Sequence, residues 1–126
     1  IEDAETIIVA GKGIKKETDL QMIYELADAL DAMTAGTRPL IEQGWFDPRL
    51  QIGLSGRTVK PKLIITCGVS GSVQFAAGMQ GAEKIIAINN DPGAAIFGIA
   101  HSAVVGDLYQ IVPALLGKIK KGASSQ

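Results

Sequence analysis

The residues of this chain that could hold a ligand lie in short polar or glycine-rich turns after apolar runs. Gly11-Lys12-Gly13 follows one such run, Gly68-Val69-Ser70-Gly71 follows a second, and Asn89-Asn90-Asp91 follows a third. Glycine lets the backbone approach a ligand closely, and peptide N–H groups at a helix N-terminus attract negative charge. The spacing therefore indicates a site for a phosphate-bearing ligand.

The turn at residues 68–71 is the strongest candidate, because Ser70 adds a hydroxyl and a predicted helix begins just after it. The turn at Gly11 lacks the third glycine of a dinucleotide fingerprint. The turn around Ser70 does not meet the G-x-S-x-G spacing of a hydrolase nucleophile. The chain has one histidine, His101, which disfavours hydrolase chemistry.

Four further residues each have a structural and a chemical interpretation, and the sequence leaves both open. Cys67 ends an apolar run as a small core residue or as a thiolate nucleophile. His101 is a surface residue or a catalyst, and Arg38 is a solvated cation or a ligand contact. Asp107 is a helix N-cap or a carboxylate that binds ribose.

Short strands that alternate with helices must position these residues. Runs of β-branched and apolar residues predict buried strands at Thr6–Ala10, Leu63–Cys67 and residues 84–88, with shorter strands at 34–37 and 103–105. Helices are predicted at residues 19–33, with a capping box of Thr18 and Gln21, and at 39–43, 72–79 and 108–120. This order predicts an α/β domain with a parallel sheet, whose ligand site lies beyond the carboxyl ends of the strands.

Composition limits the classes of function. The chain has 126 residues, of which 47% are hydrophobic, so it is long enough for one globular domain with its own core. A formal net charge of -1 argues against a general nucleic-acid binder. One Cys and one His cannot build a Cys/His zinc site, and no apolar run approaches the ~20 residues of a membrane helix. The chain begins at Ile1 rather than Met, which suggests a fragment.

The order of these segments resembles the C-terminal, FAD-binding domain of the electron transfer flavoprotein alpha subunit. The resemblance runs from about Thr6 to Lys120. It implies a Rossmann-like, three-layer domain of the DHS-like NAD/FAD-binding type over residues 1–120, followed by a flexible tail at 121–126. The matching segments are residues 25–30, Gly53-Leu54-Ser55-Gly56-Arg57, residues 68–74, residues 87–92, Ile96-Phe97 and Gly106-Asp107-Leu108.

The resemblance also implies that FAD lies across the strand ends. Arg38 would place its guanidinium against the flavin, where a fixed cation favours reduced, anionic flavin. Ser55 would hydrogen-bond the flavin near N5, and Ser70 with the peptides of Gly71 and Ser72 would face the pyrophosphate. The full implied cofactor-binding set is Lys12, Thr37, Arg38, Ile52, Gly53, Leu54, Ser55, Gly56, Gly68, Ser70, Gly71, Ser72, Val73, Gln74, Phe75, Asn89, Asp107 and Leu108.

Other members of this set have roles along the rest of the cofactor. Gln74 would lie beside it, Asn89 would reach the phosphate–ribitol region, and Asp107 with Leu108 would meet the adenosine. Lys12 and Thr37 stand where the family usually has Arg and Ser, so Lys12 keeps the charge but loses the bidentate geometry. No metal is implied.

The function implied is that of an electron carrier, which shuttles electrons from flavin dehydrogenases to an acceptor and converts no substrate. The expected partners are an electron transfer flavoprotein beta subunit, an alpha-subunit N-terminal domain absent from this chain, and acyl-CoA dehydrogenase-type flavoproteins of fatty acid β-oxidation. A bifurcating system is a variant of this function. The alternative is an NAD- or nucleotide-binding module without a redox role. The expected location is the bacterial cytoplasm, or the mitochondrial matrix of a eukaryote.

Two residues depart from the family pattern: Leu54 replaces a common Gln, and Phe75 replaces a common His that hydrogen-bonds the flavin C2 carbonyl side. Phe75 cannot donate that bond, so we expect this flavin to hold its anionic semiquinone less firmly than a His-bearing relative. Phe75→His is then expected to raise the potential of the first reduction step in a redox titration of the intact complex. An unmoved first step would mean that Phe75 only packs under the ring system.

Overall fold

A parallel β-sheet forms the centre of the chain in a computed structural model, which describes residues 5–46, 61–71 and 81–124. Within these ranges the sheet has five strands in the order β2-β1-β3-β4-β5, and every neighbouring pair is parallel. The α/β class predicted from the sequence is confirmed. The strands are β1 (Thr6–Ala10), β2 (Met33–Gly36), β3 (Leu63–Cys67), β4 (Lys84–Asn89) and β5 (Ser102–Val105).

The central strands are apolar on both faces because both faces are covered. Ile7 pairs with Ile64, and the next residue, Ile8, pairs with Ile65. Ile8 and Ile65 pack into one core cluster, whereas Ile7 and Ile64 pack into another. Burial of successive residues on opposite faces explains why these strands are continuous apolar runs rather than alternating ones.

Within the described residues, two long helices pack on the first face of the sheet. These are α1 (Leu20–Ala29) and a C-terminal helix, Leu108–Ser124, which pack against each other. The amphipathic spacing of Leu20, Ile23 and Leu26 places those side chains in the core, fully or almost fully buried. Among the described residues, the 3-10 turn Ala95–Gly98 lies on the second face, where Ile96 joins the second cluster.

The helix predicted at residues 19–33 is shorter than expected at its C-terminus. Asp31 has a left-handed backbone, with φ of 53°, and the N–H groups of Asp31 and Ala32 donate to the carbonyls of Asp28 and Ala27. This Schellman pattern ends the helix at Ala29, and the chain then continues into β2, which begins at Met33.

The predicted capping box at the start of α1 is wrong. Residues Glu17–Asp19 form a 3-10 turn, and Asp19 is the N-cap without a side-chain capping bond. Gln21 donates its Nε2 hydrogen to Glu25 Oε1 instead of reaching back. The side chain of Asp19 is engaged elsewhere, in a contact with the C-terminal helix.

Two further helices follow the sequence prediction more closely. A short helix, α2 (Arg38–Glu42), follows β2 at once and has Pro39 in its first turn. The C-terminal helix is α3, and Asp107 Oδ1 accepts a hydrogen bond from the Tyr109 N–H as its N-cap. Pro113 lies inside α3, which runs to Ser124 and so ends four residues beyond the predicted end at Lys120. The predicted helix at 72–79 lies outside the described residues.

The loops after β1 and β3 are joined backbone to backbone. The Gly11 N–H donates to the Cys67 carbonyl at 3.0 Å, and the Gly13 N–H donates to the Gly68 carbonyl at 2.9 Å. A Cβ on Gly11 would lie 2.7 Å from the Gly68 oxygen, and Gly68 has a φ of 72°. These glycines are therefore needed for one loop to approach the other, whether or not a ligand approaches them too.

Gly11→Ala is expected to lower the free energy of unfolding by about 1–3 kcal/mol, because its Cβ must displace backbone atoms rather than a flexible side chain. Gly117→Ala is the matched control. Gly117 lies inside α3 with open space around it, so alanine there is expected to add up to about 1 kcal/mol of stability. Urea unfolding of both variants tests the pair. Equal stability of the two variants would contradict this account of Gly11.

Cys67 is expected to be inert in the folded protein. It is fully buried at the end of β3, and burial raises its pKa to about 12. Because the thiolate is the reactive form, a disulfide reagent should label Cys67 only after denaturant unfolds the chain. Rapid stoichiometric labelling without denaturant would restore Cys67 as a candidate nucleophile.

Candidate functional site

A cleft of about 650 Å³ opens beyond the carboxyl ends of β1, β3 and β4. β1 lies between β2 and β3 in the sheet. The strand order therefore runs one way from β1 to β2 and the opposite way from β1 to β3, β4 and β5. Ligands of open α/β sheets bind at such switch points, and the volume is typical of small-molecule sites. The described residues that line the cleft are Lys12, Gly13, Lys15, Gly68, Ser70, Gly71, Asn89, Asn90, Asp91, Gly93, Ala94, Ala95, Asp107, Leu108 and Tyr109.

Many of the residues predicted from the sequence come together in this cleft. They come from three strand-end turns and from the start of α3, which are far apart along the chain. The predicted residues that line the cleft are Lys12, Gly68, Ser70, Gly71, Asn89, Asp107 and Leu108. Nine more lie outside the described residues, and their roles stay predictions: Ile52, Gly53, Leu54, Ser55, Gly56, Ser72, Val73, Gln74 and Phe75.

Thr37 and Arg38 lie at the same edge of the sheet but do not line this cleft. Thr37 is 8% exposed, and its N–H donates to the Ala10 carbonyl, which ties the end of β2 to β1. Arg38 donates from Nε to Glu42 Oε1 at 2.7 Å, and both side chains are more than half exposed. An exposed pair of this kind contributes little to stability, so it holds the guanidinium only weakly.

Asn89 holds two of the turns in place. Its Nδ2 donates to the Val69 carbonyl in the turn after β3, and its Oδ1 accepts from the Asp91 N–H in its own turn, at 2.9 and 2.8 Å. One amide group thus fixes the ends of β3 and β4 relative to each other. The structure gives Asn89 a scaffolding role in the wall of the cleft, in addition to the predicted contact with the cofactor.

Gly71 allows the turn after β3 to meet the 3-10 turn Ala95–Gly98. The Ile96 N–H donates to the Ser70 carbonyl at 2.9 Å. Gly71 has a φ of 91°, and a Cβ there would collide with the backbone of Ile96. Ser70 itself is exposed, so its hydroxyl is accessible at the cleft while its carbonyl is engaged in the fold.

The start of α3 also lines the cleft. Asp107 caps the helix, and Leu108 is nearly buried where it packs against the turns after β1 and β3. The N-terminus of α3 therefore lies beside the glycine turns, and a helix N-terminus favours negative charge.

The sequence prediction missed several residues of the cleft, among them Lys15 and Tyr109. The Tyr109 hydroxyl donates to Asp19 Oδ2 at 2.6 Å and accepts from the Lys15 N–H at 2.8 Å. Burial and the bond to Asp19 raise the pKa of Tyr109. Contacts between residues about 90 positions apart leave no local sequence pattern from which they could be predicted. The position of Tyr109, two residues after the predicted site residue Asp107, is a weak signal that it lies at the cleft.

The arrangement does not support hydrolase chemistry. The backbone N–H of His101 donates to the carbonyl of Ile85, and its Nδ1 accepts from the Ile85 N–H, near the amino end of β4. Ser70 lies beyond the carboxyl end of β3, so His101 is at the opposite edge of the sheet from Ser70. His101 cannot act as a base for Ser70, and Cys67 is buried with a raised pKa.

The polar groups of the cleft suit a ligand that carries phosphate and hydroxyl groups. Lys12 and Lys15 supply positive charge, and Ser70 supplies a hydroxyl beside the glycine turns. Asp107 supplies a carboxylate that suits a ribose hydroxyl. Asp91 and Asp107 keep the cleft from being uniformly cationic, which favours a ligand with both anionic and hydroxyl groups.

Proteins from several bacteria are similar in sequence to nearly all of this chain. The lactate dehydrogenase (NAD(+),ferredoxin) subunit LctC of Acetobacterium woodii is 64% identical over 95% of this chain and 29% of its own length. The protein FixB of Azotobacter vinelandii is 42% identical over 94% of this chain and 35% of its own length. The electron transfer flavoprotein subunit alpha of Bacillus subtilis is 40% identical over 96% of this chain. The chain spans about a third of the length of these relatives.

A solved structure shares the fold at low sequence identity. A thiamin diphosphate-dependent enzyme from Mycobacterium smegmatis superposes with a TM-score of 0.54 and 15% identity, over 92% of this chain and 25% of the other. At that identity the likeness supports the architecture alone. Among the described helices, none has the length and apolar character needed to cross a membrane.

A comparison with known protein families gives the same family as the sequence resemblance, and its match includes strands whose ends border the cleft. The family model described as the electron transfer flavoprotein FAD-binding domain matches residues 1–80. This match covers β1, β2 and β3, whose ends carry six of the nine predicted cofactor-binding residues that the structure describes. The chain belongs to the electron transfer flavoprotein FAD-binding domain family.

Proposed function

We propose that this chain binds FAD in the cleft at the ends of β1, β3 and β4. The observation that carries this proposal is the meeting of Lys12, Ser70 and Asp107 around one cleft, with the start of α3 beside the glycine turns. These groups suit the pyrophosphate and the adenosine of FAD. The flavin ring would lie near Arg38, Ser55 and Phe75, where the resemblance places its contacts, and when bound it supplies the redox chemistry.

The proposed activity is electron transfer without conversion of a substrate by this chain. Relatives named electron transfer flavoprotein subunit alpha share 36–41% identity with it over at least 95% of its length. The chain's own residues would hold and orient the cofactor, and Arg38 would turn from Glu42 toward the flavin. Residues 1–120 would form the FAD-binding domain of an alpha subunit, whose N-terminal domain and beta-subunit partner complete the carrier in the bacterial cytoplasm.

A lactate-linked system is the more specific candidate for the whole protein. The 64% identity to LctC exceeds the 36–42% of the FixB and electron transfer flavoprotein relatives. The name of LctC couples lactate dehydrogenase with NAD+ and ferredoxin. We therefore propose a flavin-based bifurcating complex, in preference to a donor of the acyl-CoA dehydrogenase type. Lactate-dependent reduction of NAD+ that consumes reduced ferredoxin as the second electron donor, measured with the purified complex and compared with reduction of the complex by an acyl-CoA dehydrogenase, separates the two.

The FAD proposal is tested by removing one charge from the cleft of the full-length protein in its native complex. Lys12→Met is expected to raise the dissociation constant of FAD by about three- to tenfold, because an anion loses its cation in a partly enclosed site. Lys62→Met is the matched control. Lys62 is exposed and pairs only loosely with Glu5, at 3.8 Å, away from the cleft. Flavin fluorescence titration of the apoprotein measures both constants.

Two results would contradict the proposal. A native preparation without flavin absorbance, whose apoprotein binds NAD+ tightly and FAD not at all, would favour the nucleotide-binding alternative. Equal loss of FAD affinity in Lys12→Met and Lys62→Met would show that the cleft is not the site.

A further inference from the structure

Tyr109 joins three parts of the cleft wall that are remote in sequence. Its hydroxyl donates to Asp19 Oδ2 at 2.6 Å, at the start of α1. The same hydroxyl accepts from the Lys15 backbone N–H at 2.8 Å, in the loop after β1. Tyr109 itself lies in the first turn of α3, next to Leu108. One hydroxyl group therefore connects the loop after β1 to α1 and to α3.

The aromatic ring adds a second contact with the same lysine. The Lys15 ammonium lies 5.9 Å from the centroid of the Tyr109 ring, at the outer range of a cation–π interaction. The backbone and the side-chain end of Lys15 are thus both held by one tyrosine. Lys15 lines the cleft, so this geometry places a positive charge at its wall.

Asp19 fixes the orientation of the hydroxyl. An ionised carboxylate only accepts hydrogen bonds, so the Tyr109 hydrogen points at Asp19 and a lone pair is left for the Lys15 N–H. A phenol is protonated at neutral pH, as this arrangement requires, and burial with the bond to Asp19 raises the pKa of Tyr109 further. Free rotation of the hydroxyl would loosen the loop, whereas the carboxylate holds it in the one orientation that serves both partners.

We propose that Tyr109 is a positioning residue of the cleft, which holds Lys15 so that its ammonium binds a phosphate group of the nucleotide cofactor. This inference rests on the proposed binding of FAD. Lys15 gains a binding role that the sequence prediction did not assign, and Tyr109 acts through Lys15. A flexible lysine pays side-chain entropy when it binds an anion, and prior restraint lowers that cost.

Removal of the Tyr109 hydroxyl tests the inference in the full-length protein in its native complex. Tyr109→Phe is expected to weaken FAD binding by about five- to tenfold. Tyr24→Phe is the matched control, because Tyr24 is the other tyrosine of the chain and lies on α1 outside the cleft. It is expected to bind FAD as the unaltered protein does. Equal affinity of Tyr109→Phe and the unaltered protein would overturn the inference.

A double-mutant cycle distinguishes positioning from a general loss of structure. Lys15→Met should weaken FAD binding in the unaltered protein, but at least about threefold less in the Tyr109→Phe background, because the lysine is no longer held. Additive effects would mean that Tyr109 does not act through Lys15, and would overturn the inference. Thermal unfolding of each variant shows whether the fold is kept.

Two substitutions of Asp19 add a rescue test. Asp19→Asn keeps an oxygen that accepts the Tyr109 hydrogen and should retain most of the FAD affinity, whereas Asp19→Ala should match Tyr109→Phe. Equal losses in both Asp19 variants would contradict the hydrogen-bond account. If the unaltered apoprotein takes up no FAD at all, the proposed function fails and this inference fails with it. If it binds FAD and Tyr109→Phe binds equally, the inference alone fails.

Discussion

The close approach of two backbone turns at the centre of the sheet is the constraint on which the rest of the structure depends. The loop after β1 donates two peptide hydrogen bonds, from the Gly11 N–H to the Cys67 carbonyl and from the Gly13 N–H to the Gly68 carbonyl, and no Cβ fits between the two turns. The two turns therefore contact each other directly beyond the carboxyl ends of β1 and β3, where the strand order reverses. The cleft begins only beyond this contact, so Lys12 and Ser70 are exposed on turns that are otherwise tightly held.

The walls of the cleft are built by polar side chains that connect remote segments. Asn89 binds the turn after β3 to the turn after β4, and Tyr109 binds the loop after β1 to both α1 and α3. Two of these bonds are partly buried and two are exposed, so no single bond contributes much to the stability of the fold. Their effect is to limit the freedom of turns that would otherwise move independently, which suits a site that must hold an extended cofactor.

Each sequence prediction was confirmed or wrong for a physical reason. β1 and β3 match to the residue because buried strands between two covering layers must be short runs of β-branched residues bounded by glycine. The end of α1 was missed because Asp31 is not glycine, yet adopts the left-handed conformation that ends a helix. The predicted capping box was wrong because Asp19, rather than Thr18, is the N-cap of α1. The Asp19 side chain accepts a hydrogen bond from the distant Tyr109 instead of capping the helix.

The sequence by itself determined the α/β class, the strand ends that carry the glycine turns, and the family to which the chain belongs. These depend on local periodicity and on the order of residues in short segments, which can be read without knowing the fold. Only the tertiary structure decided what those residues contact. It showed that Gly11, Gly13 and Gly71 are required by neighbouring backbone, and that His101 is remote from Ser70. It also brought Lys15 and Tyr109 together, because contacts across 94 positions depend on packing that no local pattern records.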